Sequence, residues 1–411
     1  MRNQDASGTR VLIYSYDVFG LGHLRRSLKI AEHLAETLRE VSVLIVTGNN
    51  ELHTVRTDGP IDFVKLPCFH REGKDAYVPK FLGTSVRDLS RIRSQLLHAT
   101  FKSFQPDLVL VDHAPTGVRG ELVKSIRWLK RARPEARLVL CLRDILDDPK
   151  IVRKAWQRGR LHDVIENYYD SIWIFGSPDV YDVVAEYGFS VSLARKVNYC
   201  GYLMPSTQVR RTREAVRDEL RVGSGRFVLV TGGGGGDAYK LMRTYLKSLK
   251  GLRREFQNGS ELHSLLILGP EMPLHDRRRL QARAKAMRGA TRLLDFSAEL
   301  HNYMNAADLV ISMGGYNSLC EILTLQKRAI IVPRVQPVRE QWIRAERLQT
   351  LGLVDVLHPA DLSPATLTAK ILDALHPNGV ALAAAADVLD MQGLRSVARF
   401  ASDEVRPATA V

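Results

Sequence analysis

LVISMGGYNSLCE, residues Leu309 to Glu321, changes its period in a way that decides the fold. The first four residues form a short branched-apolar run of the kind a buried parallel strand uses. Two glycines follow, and from Asn317 a helical pattern continues through Gln326. Gly314 and Gly315 give the backbone room to turn sharply, and the first turn of a helix carries N–H groups with no partner inside the helix. N–H groups and short polar side chains therefore converge on one point, which makes Gly314, Gly315, Asn317 and Ser318 candidate contacts for a diphosphate. Glu321, about one turn further on, can accept hydrogen bonds from both hydroxyls of a ribose. Without the glycine pair upstream it would read as a solvated helix glutamate.

The same order of strand, glycine turn and helix recurs outward from this stretch. RFVLVT (Arg226 to Thr231) runs into five consecutive glycines, Gly232 to Gly236, and then Asp237. Such a run is entropically costly and calls for backbone that approaches a ligand or takes up positive φ, so Gly234 and Gly235 read as a phosphate or sugar cradle. A P-loop would need Lys and Ser or Thr after its glycines; Asp237 and Ala238 stand there, which argues against Walker-type ATP hydrolysis. SLLILG at Ser264, RLLDF at Arg292 and AIIVP at Ala329 complete one series of strands. A second series lies earlier in the chain: RVLIYSY at Arg10, VSVLIVT at Val41, DLVLVD at Asp107, RLVLCL at Arg137 and SIWIFG at Ser171. Apolar runs spaced by helix-compatible stretches describe a doubly wound α/β domain, here twice over.

In the first series FGLGHLRRS, Phe19 to Ser27, lies where the opening strand turns into a helix. Gly20 and Gly22 loosen the turn for a ligand and Arg25 lies beside it. A helix N-terminus disfavours a protonated imidazole, so His23 is expected to stay neutral and to accept a proton from an attacking hydroxyl, unless it only caps the helix. Asp112, at the end of another strand, is either the carboxylate that orients His23 or a helix cap. Arg143 and Asp144 end a further strand.

With 411 residues, two domains are the prior. We expect an N-terminal domain over 1–200, a linker over 201–225 around Pro205, Ser206 and Thr207, a second domain over 226–380, and a C-terminal helical stretch over 381–411 packing back on the first. Lys and Arg number 59 against 45 acidic residues, a net +14, which favours anionic partners. These cations are dispersed over several helices without a nucleic-acid-reading motif, so a non-catalytic nucleic-acid binder is the remote alternative and nucleic acid is not an expected partner. The four cysteines show no C-x-x-C spacing, the first ten residues lack a signal core, and no run reaches the length of a membrane span, so a cytoplasmic protein is expected. One basic stretch, with Leu122, Ile126 and Leu129 at helical spacing and Trp128 beside them, suits peripheral contact with an anionic membrane.

The glycine turn ending in His23, TGGGGGDA at Thr231 to Ala238, the stretch from Phe296 to Glu321, and VPRVQPVREQWIRAERLQTLG at Val332 to Gly352 together resemble the MurG-like glycosyltransferases of the GT-B fold. The resemblance implies two Rossmann-like domains facing across a cleft. It also implies inverting, metal-independent transfer of a sugar from a nucleoside-diphosphate sugar, most simply a UDP-sugar, to an acceptor hydroxyl. No cofactor is implied; the nucleotide sugar is a substrate, and the acceptor is a glycan, a lipid-linked molecule or a small molecule. Residue by residue, Gly314, Gly315, Asn317 and Ser318 match the diphosphate turn, Glu321 the ribose ligand, the backbone of Phe296 and Ser297 the strand end that reads the base, and Gln341 a sugar contact. Gly22 to Arg26 also resembles the turn of a GT-B hydrolase that cleaves UDP from a sugar, so a nucleotide-sugar hydrolase or epimerase is the alternative.

Overall fold

The computed structural model describes residues 8–16, 22–72, 76–204, 209–256, 262–287, 291–376 and 385–405. Gly20, Pro205, Ser206 and Thr207 lie outside them. The chain divides into two compact units: unit 1 is Met1–Leu203 with Asp390–Val411, and unit 2 is Met204–Leu389.

Unit 1 is built on a parallel sheet. Its strands are β1 (Thr9–Tyr14), β2 (Val41–Thr47), β3 (Ile61–Lys65), β6 (Leu108–Asp112), β7 (Arg137–Arg143), β8 (Ser171–Phe175) and β9 (Val197–Tyr199); a small antiparallel hairpin, β4 (Phe69–Glu72) and β5 (Ala76–Pro79), stands apart. The order across the sheet is β3-β2-β1-β6-β7-β8-β9. β6 and β8 are buried at every residue, as expected of strands covered on both faces, which is why they read as continuous apolar runs and not as alternating ones. The sequence does not announce β3 and β9, because edge strands only half buried carry a weak apolar signal.

Unit 2 repeats the plan with β10 (Arg226–Thr231), β11 (Leu262–Ile267), β12 (Thr291–Leu294), β13 (Leu309–Ser312), β14 (Ala329–Ile331) and β15 (Asp355–Val356), ordered β12-β11-β10-β13-β14-β15 and all parallel. Its core joins Val228, Val230, Leu266 and Ile311 of the sheet to Met242, Tyr245 and Leu249 of the helix Tyr239–Glu255 and to Leu367 and Ile371 of the helix Pro364–Leu375.

Both sheets change winding direction once, between β1 and β6 in unit 1 and between β10 and β13 in unit 2. The loops leaving two such neighbours run to opposite faces of the sheet, which opens a crevice at the carboxyl ends of the strands; ligands of doubly wound sheets bind there.

The boundaries differ from those expected. Residues 213–220, expected as a charged helical segment within the linker, do form a helix, but one that belongs to unit 2: Arg213 and Arg217 both pair with Asp308 at the entry to β13, and Arg217 Nη1 stands 3.1 Å from its Oδ2. The chain returns to unit 1 at Asp390 and not at 381, and the helix Gly393–Val405 packs on the helix Gly22–Thr37. The stretch Val123–Ala132 is a helix whose Ile126 and Leu129 are buried together with Leu122, so its apolar stripe belongs to the core of unit 1 and is not available to a membrane. The exposed large apolar side chains of unit 1 include instead Phe81, Leu82, Ile92 and Leu96.

Candidate functional sites at the two switch points

In unit 1 the switch point is flanked by the start of the helix Gly22–Thr37, which follows β1, and by Asp112, the last residue of β6. Of the predicted acceptor-side residues, Gly22 opens the helix and Arg25 is half buried on it. His23 and Asp112 are both buried, and His23 Nδ1 lies 2.6 Å from Asp112 Oδ2. Arg26, one turn along the same helix, donates to the other carboxylate oxygen and comes within 2.9 Å of His23 Nδ1. A guanidinium has no acceptor and is always charged, so Nδ1 cannot serve both neighbours. The consistent assignment gives Nδ1 the proton, donated to Asp112, and leaves the lone pair on Nε2. Burial alone would raise the Asp112 carboxyl, but Arg26 and His23 against it hold it far below the usual carboxylate range. Burial lowers the His23 pKa in spite of Asp112, with Arg26 and Arg143 adding to the fall, so the ring is neutral at pH 7.

Two aromatic groups complete this site that sequence reasoning did not single out. Tyr16 meets the His23 ring edge-on at 5.1 Å, and His113 lies 4.9 Å from Tyr16 and 5.3 Å from His23. His113 has φ +68°, a left-handed conformation in which histidine is enriched among non-glycine residues. Its pKa is pushed well down by burial and then by His23 and Arg143. Asp144 is fully buried, accepting from Tyr202 Oη at 3.3 Å and from the Ile145 N–H at 2.8 Å.

In unit 2 the candidate residues all lie at or beyond the carboxyl ends of strands of the one parallel sheet. Phe296 and Ser297 follow β12, the glycine loop follows β10, Gly314 to Ser318 follow β13, and Gln341 opens the helix Glu340–Thr350 after β14. Phe296 is 48% exposed. Gly235 has φ +91°, and a Cβ there would stand 2.2 Å from the Leu268 carbonyl oxygen; one on Gly234 would stand 3.0 Å from the Glu271 carboxylate. What these two missing side chains make room for is therefore protein, and the glycine run owes much to two backbones passing closely.

The turn after β13 behaves differently. Gly314 has φ +70° and a Cβ would press on Ile331 at 2.6 Å, whereas Gly315, at φ −60°, would meet nothing within 4 Å. Gly315 is the N-cap of the helix Tyr316–Thr324, a position where Ser, Thr, Asp or Asn would usually close the first N–H groups with a side-chain oxygen and where glycine offers none. Asn317, Ser318 and the half-buried Glu321 lie on this helix. Behind it, the fully buried Arg344 holds Glu340 at 2.9 Å and lays its guanidinium over the Tyr316 ring at 5.6 Å. That brace was missed in the sequence, although a Glu and an Arg four apart on one helix is a recognisable pair. Gln341 Oε1 accepts the Arg334 N–H at 3.0 Å.

The chain was compared with known proteins. Residues 227–398 match the glycosyltransferase family 28 C-terminal domain. The UDP-N-acetylglucosamine--N-acetylmuramyl-(pentapeptide) pyrophosphoryl-undecaprenol N-acetylglucosamine transferase of Haemophilus influenzae is 30% identical over 101 residues, 25% of this chain and 28% of the relative, so the match spans little more than a quarter of that enzyme. Among solved structures, MurG of Acinetobacter baumannii aligns over 96% of this chain and 99% of its own with a TM-score of 0.60 at 14% identity. A putative UDP-N-acetylglucosamine 2-epimerase of Listeria monocytogenes aligns over 98% and 100% with a TM-score of 0.60 at 11% identity. Most of unit 2 thus matches the glycosyltransferase family 28 C-terminal domain, in a chain that has the GT-B fold and resembles the MurG-like glycosyltransferases.

Proposed function

We propose that this protein is an inverting, metal-independent glycosyltransferase in which unit 2 holds a UDP-sugar and unit 1 supplies the base for an acceptor hydroxyl. The observation that carries the reading is the buried His23–Asp112 pair at the switch point of unit 1, whose geometry leaves a neutral imidazole with its lone pair on Nε2. In the reaction the acceptor O–H gives its proton to Nε2 as its oxygen attacks the anomeric carbon. The bond from that carbon to the β-phosphate oxygen breaks in the same displacement, which inverts the configuration. The imidazolium that forms is stabilised by Asp112, already ionised and aligned on Nδ1–H. The departing diphosphate is met by the N-terminus of the helix Tyr316–Thr324, with Glu321 on the ribose, the backbone of Phe296 and Ser297 at the base and Gln341 at the sugar.

The test is turnover of a panel of UDP-sugars with and without acceptors. Sugar transfer in wild type, lowered roughly 10²- to 10⁴-fold in His23→Ala with UDP affinity kept, is the expected result. Stoichiometric UDP release without acceptor would instead identify a hydrolase, and an isomeric UDP-sugar an epimerase.

A lipid-linked acceptor is favoured by exposed apolar groups in unit 1, among which the neighbours Phe81 and Leu82 stand out and Lys80 Nζ lies over the Phe81 ring at 5.2 Å. This combination of apolar and cationic groups suits peripheral contact with an anionic bilayer, at the cytoplasmic face for a cytoplasmic protein. Cosedimentation with phosphatidylglycerol vesicles should fall in a Phe81→Ser, Leu82→Ser double variant; equal cosedimentation of the two proteins would remove the idea. Among the described residues no helix is long and apolar enough to cross a membrane.

A further inference from the structure

Arg334 follows β14 closely, and its Nη1 stands 3.5 Å from Oδ2 of Asp237, which closes the glycine loop after β10. In the sheet β13 lies between those two strands. The ion pair therefore joins the loops that leave the two strands flanking β13, whose own end runs into the Met313 to Gly315 turn that begins the helix Tyr316–Thr324. Three features of this pair point to a ligand. At 3.5 Å the contact is a loose ion pair and not a well-formed hydrogen bond, so a better acceptor could displace Asp237. The Arg334 side chain is only 18% exposed, while Asp237 is 47% exposed and can swing away. The backbone of Arg334 is fixed by Gln341 Oε1, which holds the root of the side chain in place while its tip exchanges partners.

Charge balance gives the exchange a purpose. A helix N-terminus supplies about half an elementary charge, and a diphosphate leaving group carries several times that. Arg344, the fully buried guanidinium behind the helix Tyr316–Thr324, holds Glu340. We propose that Arg334 is the cation that binds the donor's diphosphate in unit 2, and that Asp237 competes with the donor for it. This rests on the reading of unit 2 as a UDP-sugar site and adds to it a binding residue and a built-in competitor. Arg334 is the better-suited cation because a guanidinium grips two phosphate oxygens at once.

The experiment measures UDP and UMP affinities by calorimetry for wild type, Arg334→Gln, Arg334→Lys and Asp237→Asn, with melting curves to confirm folding. A cation on the β-phosphate predicts that Arg334→Gln weakens UDP roughly 10- to 100-fold, the range for hydrogen bonds to a charged group, while UMP changes less than twofold. Arg334→Lys should fall between, and Asp237→Asn should tighten UDP several-fold by removing the competitor. Equal losses for UDP and UMP, or no loss of UDP, would overturn the assignment while leaving the UDP-sugar reading intact. A loss confined to a UDP-uronate, with plain UDP unaffected, would overturn it too, by placing Arg334 on a sugar carboxylate. Failure of the wild-type protein to bind UDP at all would instead bring down the donor reading and this inference with it.

Discussion

The chemistry of unit 1 depends on where single protons sit. His23 and His113 lie 5.3 Å apart, both neutral in the fold, and both have their pKa lowered chiefly by burial from the ordinary imidazole value of 6.5. Such groups set a definite pH dependence of stability. Below about pH 6.5 the unfolded chain takes up protons on both rings more readily than the folded chain does, so νU exceeds νN and stability falls as pH falls. Asp112 acts in the same direction at lower pH, because its depressed pKa contributes stability that is complete above the unfolded value and is lost as pH drops through the folded one. We therefore expect the melting temperature of unit 1 to decline from pH 7 to pH 5, and the decline to be shallower in His113→Gln, which removes one of the rings. A melt series at constant ionic strength checks this; an unchanged slope in the variant would mean that His113 takes up its proton equally readily in the folded and unfolded chains. The proposed base should be affected little by that variant, since His23 is hydrogen-bonded to Asp112.

At the level of elements, the two adjacent glycines after β13 have separate tasks. Gly314 is required by the turn, at φ +70° with Ile331 against it, whereas Gly315 faces open space in an ordinary conformation. Gly314→Ala should thus lower stability, by the 1–3 kcal/mol typical of a strained backbone position, and should lower nucleotide affinity only through that distortion. Gly315→Val should leave the melting temperature within a degree or two and abolish UDP binding, because its side chain enters only space that a diphosphate would use. The opposite pattern, a destabilised Gly315→Val that still binds, would move the diphosphate elsewhere. The glycine pair, its strand and its helix were legible in sequence because a change of period and a turn composition are local signals. RFVLVT and LVIS are strands from their first residue to their last. The His23–Asp112 pairing was only one of two readings there, since 89 residues separate them and nothing local records the distance. The Arg26 contact, the ring cluster of Tyr16 and His113, and the reach of Arg334 to Asp237 were not legible at all. Each depends on which strands become neighbours, a property of sheet order and not of any window of sequence.

The whole molecule uses the chain twice in unit 1 and once in unit 2, and that threading has a measurable consequence. The returning segment is tied into unit 1 by the Tyr202 N–H on the Asp390 carbonyl at 2.7 Å, by Arg137 Nε on Glu404 at 2.5 Å, and by Phe400 against Trp173 at 5.9 Å. Val397 and Ala401 of its helix are fully buried. The family 28 match extends to residue 398 and so takes in a few residues that belong structurally to unit 1. A sequence family boundary therefore misplaces the structural one, and a single substitution separates them. Val397→Asp puts an unpaired charge into the core of unit 1, a change that costs several kcal/mol. It should lower the transition of unit 1 and leave that of unit 2 in place. Because two units need not unfold in one step, calorimetry can resolve them, and UDP marks which is which: at 100 times its Kd it should add about 2.7 kcal/mol to the transition of unit 2 alone. If residues 390–405 were instead part of the donor-binding unit, Val397→Asp would lower the UDP-sensitive transition, and the division at Leu389 would be wrong.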